Sequence, residues 1–152
     1  MLTTARLIVL TLGLLAASPA LAGDWDNCIS QNSKRAVSGC SAVINEGRET
    51  GSKLALAFSK RASAYAETGD YGGAQDDYFK AIALDPFLAE ARFGLGKINH
   101  IKGYYNLAIA DYDKAIALNP KYAEAYYNRG LAYVKKSHFL PAIADFQRSI
   151  AI

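Results

Sequence analysis

The sequence predicts an all-α solenoid of antiparallel helical hairpins, and three observations carry that prediction. The stretch Tyr104–Pro120 reads YYNLAIADYDKAIALNP; one period earlier, from Tyr71, the chain reads YGGAQDDYFKAIALDP, and one period later, from Phe139, FLPAIADFQRSIAI. The period is about 34 residues, the length of a single helical hairpin with its turns. Within these copies Ala74, Ala108 and Ala142 fall in register. Tyr78, Tyr112 and Phe146 follow four residues on, and Ile82, Ile116 and Ile150 four further on. Residues four apart share one face of a helix, because a turn takes about 3.6 residues. Punctuation recurs at the same period: Gly69-Asp70 and Lys102-Gly103 precede the copies, and Pro86 and Pro120 follow them. A unit of this length cannot bury its own apolar face, whereas stacking on the next copy does so.

Composition admits such a core. The chain has 152 residues, 51% of them hydrophobic, enough for one domain or one short array. Charged residues make up 20% and the formal charge is only +3, with no run of like charges. The pattern argues against disorder and leaves no electrostatic footprint for nucleic acid. Residues 1–22 read as an address. Arg6 is the one positive charge, Leu7–Ala17 the apolar core, and Ala20-Leu21-Ala22 places small residues where a signal peptidase reads. Cleavage is expected before Gly23. The competing reading, a membrane anchor, needs roughly 20 apolar residues to cross a bilayer, and this run is shorter. No Cys follows the cleavage point, which argues against a lipoprotein. A periplasmic or secreted chain is expected, with no stable membrane insertion once the leader is removed.

Residues 23–52 only half obey the repeat. Ala36, Cys40 and Ile44 keep the small, large, aliphatic spacing, but the first helix is short, from about Asp24 to Ser30. The interval from Ala36 to Ala74 exceeds the period by four, and the surplus is assigned to the polar loop Glu46–Ser52. A truncated capping hairpin followed by a loop results. Cys28 and Cys40, the only cysteines, flank a turn near Gln31–Ser33, one on each antiparallel helix. A disulfide there is geometrically open and suits an oxidising compartment. In the chain-entropy model it stabilises by roughly 3 kcal/mol. A metal site needs four ligands and has no nearby His, and a redox pair would want a two-residue spacing.

Three regular units follow, Ala55–Leu88, Ala89–Tyr122 and Ala123–Ile152. Ser137 stands where the earlier units have a turn glycine, and Pro141 falls in the first turn of the last helix, where a missing N–H costs little. The small eighth position is Ala62, Gly96 and Gly130; the twentieth is Ala throughout; the twenty-seventh is Ala81, Ala115 and Ser149. In these positions Ala55–Ile152 resembles the tetratricopeptide repeat family, which implies a right-handed superhelical array. Departures cluster in the middle unit. The eleventh position is Tyr65, Asn99 and Tyr133, and the fourth is Phe58, Arg92 and Tyr126. At the seventh, where the family usually has Leu, stand Arg61, Leu95 and Arg129; the twenty-third carries Asp77, Asp111 and Asp145. Arg61 is expected to pair with Asp77, and Arg129 with Asp145, tying the two helices of each hairpin through a planar guanidinium. If both ends are solvated instead, each pair adds under about 1 kcal/mol.

Catalysis finds no support. His100 and His138 stand apart without a ligand-spaced neighbour, so neither a metal nor a cofactor is expected. No phosphate loop, G-x-S-x-G or H-E-x-x-H occurs. Most aromatics recur at the period and belong to the core, not to a base-stacking platform. Surface remains. The family's geometry implies a concave side lined by Leu56, Ser59, Ser63 and Ala66, then Glu90, Phe93, Lys97 and His100, then Glu124, Tyr127, Leu131 and Val134.

From this strip a groove for an unidentified protein or peptide is expected, formed by Phe93, Lys97, Tyr127, Asn128 and Leu131. The alternative is that these aromatics are exposed ridges without a partner. The carboxylate clamp used by chaperone-tail binders of the family is missing, because its places hold Ser59, Ser63, Gly94, Glu124 and Asn128. Leu140 and Ile143 lie in a last helix without a polar cap, so either the chain is a fragment, or a second copy or a partner covers that end. The expected function is a non-enzymatic interaction scaffold, with self-association as the alternative. The leader and cysteine-bearing start have the style of a bacterial exported protein.

Overall fold

The computed structural model describes residues 19–152, with side chains from residue 23. Among the described residues there are eight helices and no strand: α1 (Pro19–Cys28), α2 (Ser33–Glu46), α3 (Gly51–Glu67), α4 (Tyr71–Leu84), α5 (Ala89–Ile101), α6 (Tyr105–Leu118), α7 (Ala123–Lys135) and α8 (Phe139–Ile150). The expected leader therefore lies outside the described residues, except for its last four, which open α1. Helices pair as hairpins, α1 with α2 through α7 with α8, and each hairpin packs on the next. Along the array α1 touches α3, α3 touches α5 and α5 touches α7, whereas the second helices of successive hairpins do not meet. One wall is thus compressed and the other splayed, which makes the odd-numbered helices the concave side of an all-α solenoid.

The same turn ends α3, α5 and α7. After α3, Asp70 N–H donates to the Tyr65 carbonyl at 2.9 Å and Gly69 N–H to that of Ala66 at 3.1 Å. Tyr104 and Gly103 repeat this after α5, and His138 and Ser137 after α7. Such a Schellman turn needs a left-handed residue, and Gly69 and Gly103 supply it with φ of 87° and 80°. Ser137 is forced into the same region at φ 60° and carries the Cβ penalty that glycine avoids.

Two boundaries differ from expectation. Helix α1 runs from Pro19 to Cys28, not from about Asp24 to Ser30. The four-residue surplus does not sit in a loop, because the link between α2 and α3 (residues 47–50) is no longer than residues 85–88 and 119–122. Instead α3 begins at Gly51 and has 17 residues against 13 for α5 and for α7. Polar composition and two glycines suggested a loop, but about one turn's worth of residues extends the helix without disturbing its register.

The hairpins close by setting a small residue against a ring. A methyl group placed on Gly96 would meet the Tyr112 ring at 2.6 Å, and one on Gly130 the Phe146 ring at 2.6 Å. In the first hairpin Gly39 plays the corresponding part: its Cβ would come within 2.5 Å of Asn27 Cβ and of the Cys28 backbone nitrogen. There the expected disulfide joins Cys28 to Cys40, with Cα atoms 4.4 Å apart and both residues buried. Trp25 packs on it and donates from Nε1 to Glu49 at 3.1 Å.

Replacing Ser137 by Gly removes the left-handed strain, and the expected gain is about 0.5–1 kcal/mol in urea unfolding. The same exchange at Ser33, the first helical residue of α2, brings no such gain; equal effects at both positions would show that the turn is unstrained.

Candidate functional site

The concave wall opens into a cleft between α3 and α5. The cleft measures about 240 Å³ and is lined by Ser63, Ala66 and Glu67 from α3 and by Gly94, Lys97 and Ile101 from α5, with Tyr78 of α4 as its floor. Gly94 makes the floor possible, since a Cβ there would sit 2.1 Å from Tyr78 Cζ. The Tyr78 hydroxyl pairs with Ser63 Oγ at 2.9 Å, and burial pushes its pKa up to about 12, so it stays a neutral hydrogen-bonding group. A second hollow of about 150 Å³ shares Ser63 and Glu67 and continues toward Gln31. Lys60 of α3 bridges to Glu90 of α5 at 2.7 Å beside it, and Ser33 Oγ donates to Glu67. Together they form one polar-edged trough with an apolar pit.

The expected groove residues stand partly elsewhere. Phe93 is half-buried, its ring 4.8 Å from that of Tyr122 and 5.8 Å from that of Tyr112, so it serves inter-repeat packing. Lys97 is exposed, with its ammonium 5.7 Å above the Phe93 ring. Tyr127 is exposed against Phe146 and Leu131 is half-buried, one turn on. The Asn128 amide donates to its own helix, to the Glu124 carbonyl at 2.7 Å. Ser59 does not line the wall at all, being fully buried.

The α3–α5 cleft is not among the expectations drawn from sequence, although a signal for it is present. Ser63, Ala66 and Gly94 become Lys97, His100 and Asn128 one period later, so the small side chains that shape the pit do not recur in the next unit. His100 is half-buried with its ring edge on Tyr105. Burial and, less, Lys135 hold its pKa below the usual value.

Charged staples tie two of the first helices to the second helices around them. Arg61 donates from Nε and Nη2 to Asp77 at 2.6 and 3.0 Å, and from Nη1 to Ser41 of the preceding hairpin at 3.1 Å. Arg129 repeats the plan, to Asp145 at 2.8 and 2.6 Å and to Asp113 of the preceding hairpin at 2.6 Å. Both predicted pairs therefore form, each carboxylate is buried, and each guanidinium also reaches a third helix. Hydrogen bonding to the carboxylates raises both arginine pKa values above their ordinary range.

Aromatic rings lie beside both staples, Phe58 at 5.5 Å from Arg61 and Tyr126 at 5.4 Å from Arg129. In the middle unit the two residue types change places. Leu95 enters the core, Arg92 approaches Asp111 at 3.8 Å, and Asn99 donates to it at 2.9 Å. The three departures from the family pattern thus form one compensated set. Burial still pushes the Asp111 carboxyl above the usual carboxylate range, against the Asn99 hydrogen bond and the Arg92 charge.

Comparison with known proteins agrees with this geometry. A TPR repeat model matches residues 62–103 and 98–137, and a tetratricopeptide repeat model matches 123–152. The chain belongs to the tetratricopeptide repeat family. Similar solved structures include MamA, with a TM-score of 0.73 and 26% identity over 87% of this chain and 75% of that one. The first TPR of Spaghetti (RPAP3), bound to the HSP90 peptide SRMEEVD, gives 0.65 and 27% over 69% and 83%. YrrB, described as having an unusual peptide-binding site, gives 0.70 at 19% over 87% and 66%, a likeness of fold alone. Among curated proteins none matches by sequence.

The two kinds of staple respond differently to mutation. Arg129→Leu leaves the Asp145 carboxylate buried and unpaired and is expected to cost about 3 kcal/mol in urea unfolding. Asp111→Asn removes a charge that burial already disfavours and keeps an oxygen for Asn99, so the expected change is within about 0.5 kcal/mol. Equal costs for both variants would refute the distinction.

Proposed function

We propose that this chain is a non-enzymatic interaction scaffold that holds a peptide or helical segment of another protein against its concave wall. The observation that carries the reading is the pit over Tyr78, kept open by Gly94 and Ser63 and flanked by Glu67 and Lys97. An apolar side chain fits the pit, while the segment continues past Lys97 toward Tyr127 and Leu131. Missing clamp residues favour an internal segment over a free C-terminal carboxylate. A family neighbour solved with a bound peptide supports a peptide as the partner. Export belongs to the same proposal, supported by the leader pattern of residues 1–22 and by the buried disulfide, which persists in oxidising compartments.

Two measurements test it. Peptides selected from a random library against the chain are expected to bind Ala66→Arg, which fills the pit, at least about tenfold more weakly, and Lys97→Ala with Tyr127→Ala also more weakly. Phe87→Ala, on the opposite edge, is expected to change nothing; peptides that ignore the first two variants would place binding elsewhere. N-terminal sequencing of the protein recovered from a bacterial periplasm is expected to start at Gly23, and an intact leader would reject export.

A second reading is self-association through α8. Ile150 is 86% exposed whereas Ile116, its period mate, is buried by α7, and Ile143 is also exposed. Another copy packing there would cover them. Light scattering that finds only monomer at high concentration removes this reading.

A further inference from the structure

One edge of the solenoid carries a chemistry that the peptide groove does not use. The turns after α3, α5 and α7 all lie on this edge. After α5 and α7 they expose Tyr104, Leu107, Phe139 and Leu140, with relative exposures of 57%, 57%, 59% and 83%. Lys102, Lys135 and Lys136 stand among them. The two turns form one surface, since Lys136 lines the same shallow depression as Tyr104 and Leu107.

Charge is partitioned with the apolar residues. Residues 91–110 and 125–144 contain no Asp or Glu, and of their cations Lys102, Lys135 and Lys136 stand at this edge, whereas Arg92 and Arg129 turn to Asp111 and Asp145 and Lys97 lies on the concave wall. The corresponding stretch of the first regular unit, 57–76, holds Glu67, Asp70 and Asp76, with polar Thr68 and three glycines at its edge. Helix-dipole complementarity accounts for lysines at the ends of α5 and α7, but not for bulky apolar side chains held out between them. Nor does a bare end of the array. Tyr104 and Leu107 belong to an internal hairpin with neighbours on both sides, and Asn106, the period mate of Leu140, is exposed although α7 and α8 follow it.

We propose that this edge docks on an anionic phospholipid surface, with the lysines at the headgroups and the four apolar side chains inserted among the acyl chains. Cations without acids beside exposed aromatic and aliphatic groups match such an interface. Among the described residues no helix is long and apolar enough to cross a membrane, and the contact proposed is a peripheral one. In this pose the array stands on its C-terminal turns and the pit between α3 and α5 faces sideways, open to a partner.

The test places a reporter on the edge itself. Full-length Tyr104→Trp and Phe87→Trp, the latter on the opposite edge, are mixed with vesicles of brominated phosphatidylcholine with or without phosphatidylglycerol. Both variants keep Trp25, so the unsubstituted chain supplies the background to subtract. The expected result is strong quenching of the reporter at position 104 only when phosphatidylglycerol is present, with the reporter at position 87 unaffected. Lys135→Glu with Lys136→Glu in the Tyr104→Trp chain is expected to raise the lipid concentration needed roughly tenfold or more. Leu140→Asn is expected to reduce quenching while leaving the thermal unfolding midpoint unchanged. Equal quenching at the two positions would overturn the proposal, as would indifference to phosphatidylglycerol. A blue shift of the Tyr104→Trp emission that follows protein concentration without vesicles would assign the edge to a second copy and overturn it too.

Discussion

Each regular hairpin carries a carboxylate on its second helix that packing takes out of water, and the first helix must answer it. The hairpins built on α3 and α7 answer with a bidentate guanidinium whose remaining N–H crosses to the preceding hairpin. One side chain thereby fixes both the closure of a unit and its stacking on the unit before it. The staples of α3 and α7 each reach the second helix of their own hairpin and that of the hairpin before it, and so fix where these first helices sit on the concave wall. In the hairpin of α1 and α2, Gly39 replaces the carboxylate. The helices draw together there until a disulfide can join them, so a covalent tie stands where the other units use an ionic one.

Side-chain volume decides the topography of this wall. Between α3 and α5 the inner positions are Ser63, Ala66 and Gly94, and the gap becomes a pit whose floor is a neutral tyrosine. One period on, the same positions hold the larger Lys97, His100 and Asn128. The apolar character expected of the second gap goes into packing, because Phe93 lies between Tyr112 and Tyr122. A repeat architecture therefore supplies one backbone groove, while the departures from the repeat decide where it is deep.

Groove and edge are separate surfaces of the same hairpins. Groove residues project from the middle of the odd-numbered helices, whereas the apolar and basic edge is made by the turns at their C-terminal ends. In the proposed reading a segment of another protein occupies the first surface and lipid headgroups the second. The acidic turn after α3 then marks where the lipid-facing edge stops.

The sequence by itself determined the all-α class, the hairpin units, the turns that separate them and the Arg61–Asp77 and Arg129–Asp145 pairs. These follow from spacing along one chain, and the unit recurs often enough for that spacing to be read. It also offered the positions for the Cys28–Cys40 bridge. Only the tertiary structure decided that the extra residues before the first regular unit lengthen α3, since helix and polar loop have similar composition at that point. Only tertiary structure showed that Arg92, Leu95 and Asn99 compensate one another around Asp111, because they meet across helices. The pit over Tyr78 belongs to the same category: its walls come from three helices, and an empty volume is a property of their distances, which no single stretch of sequence encodes.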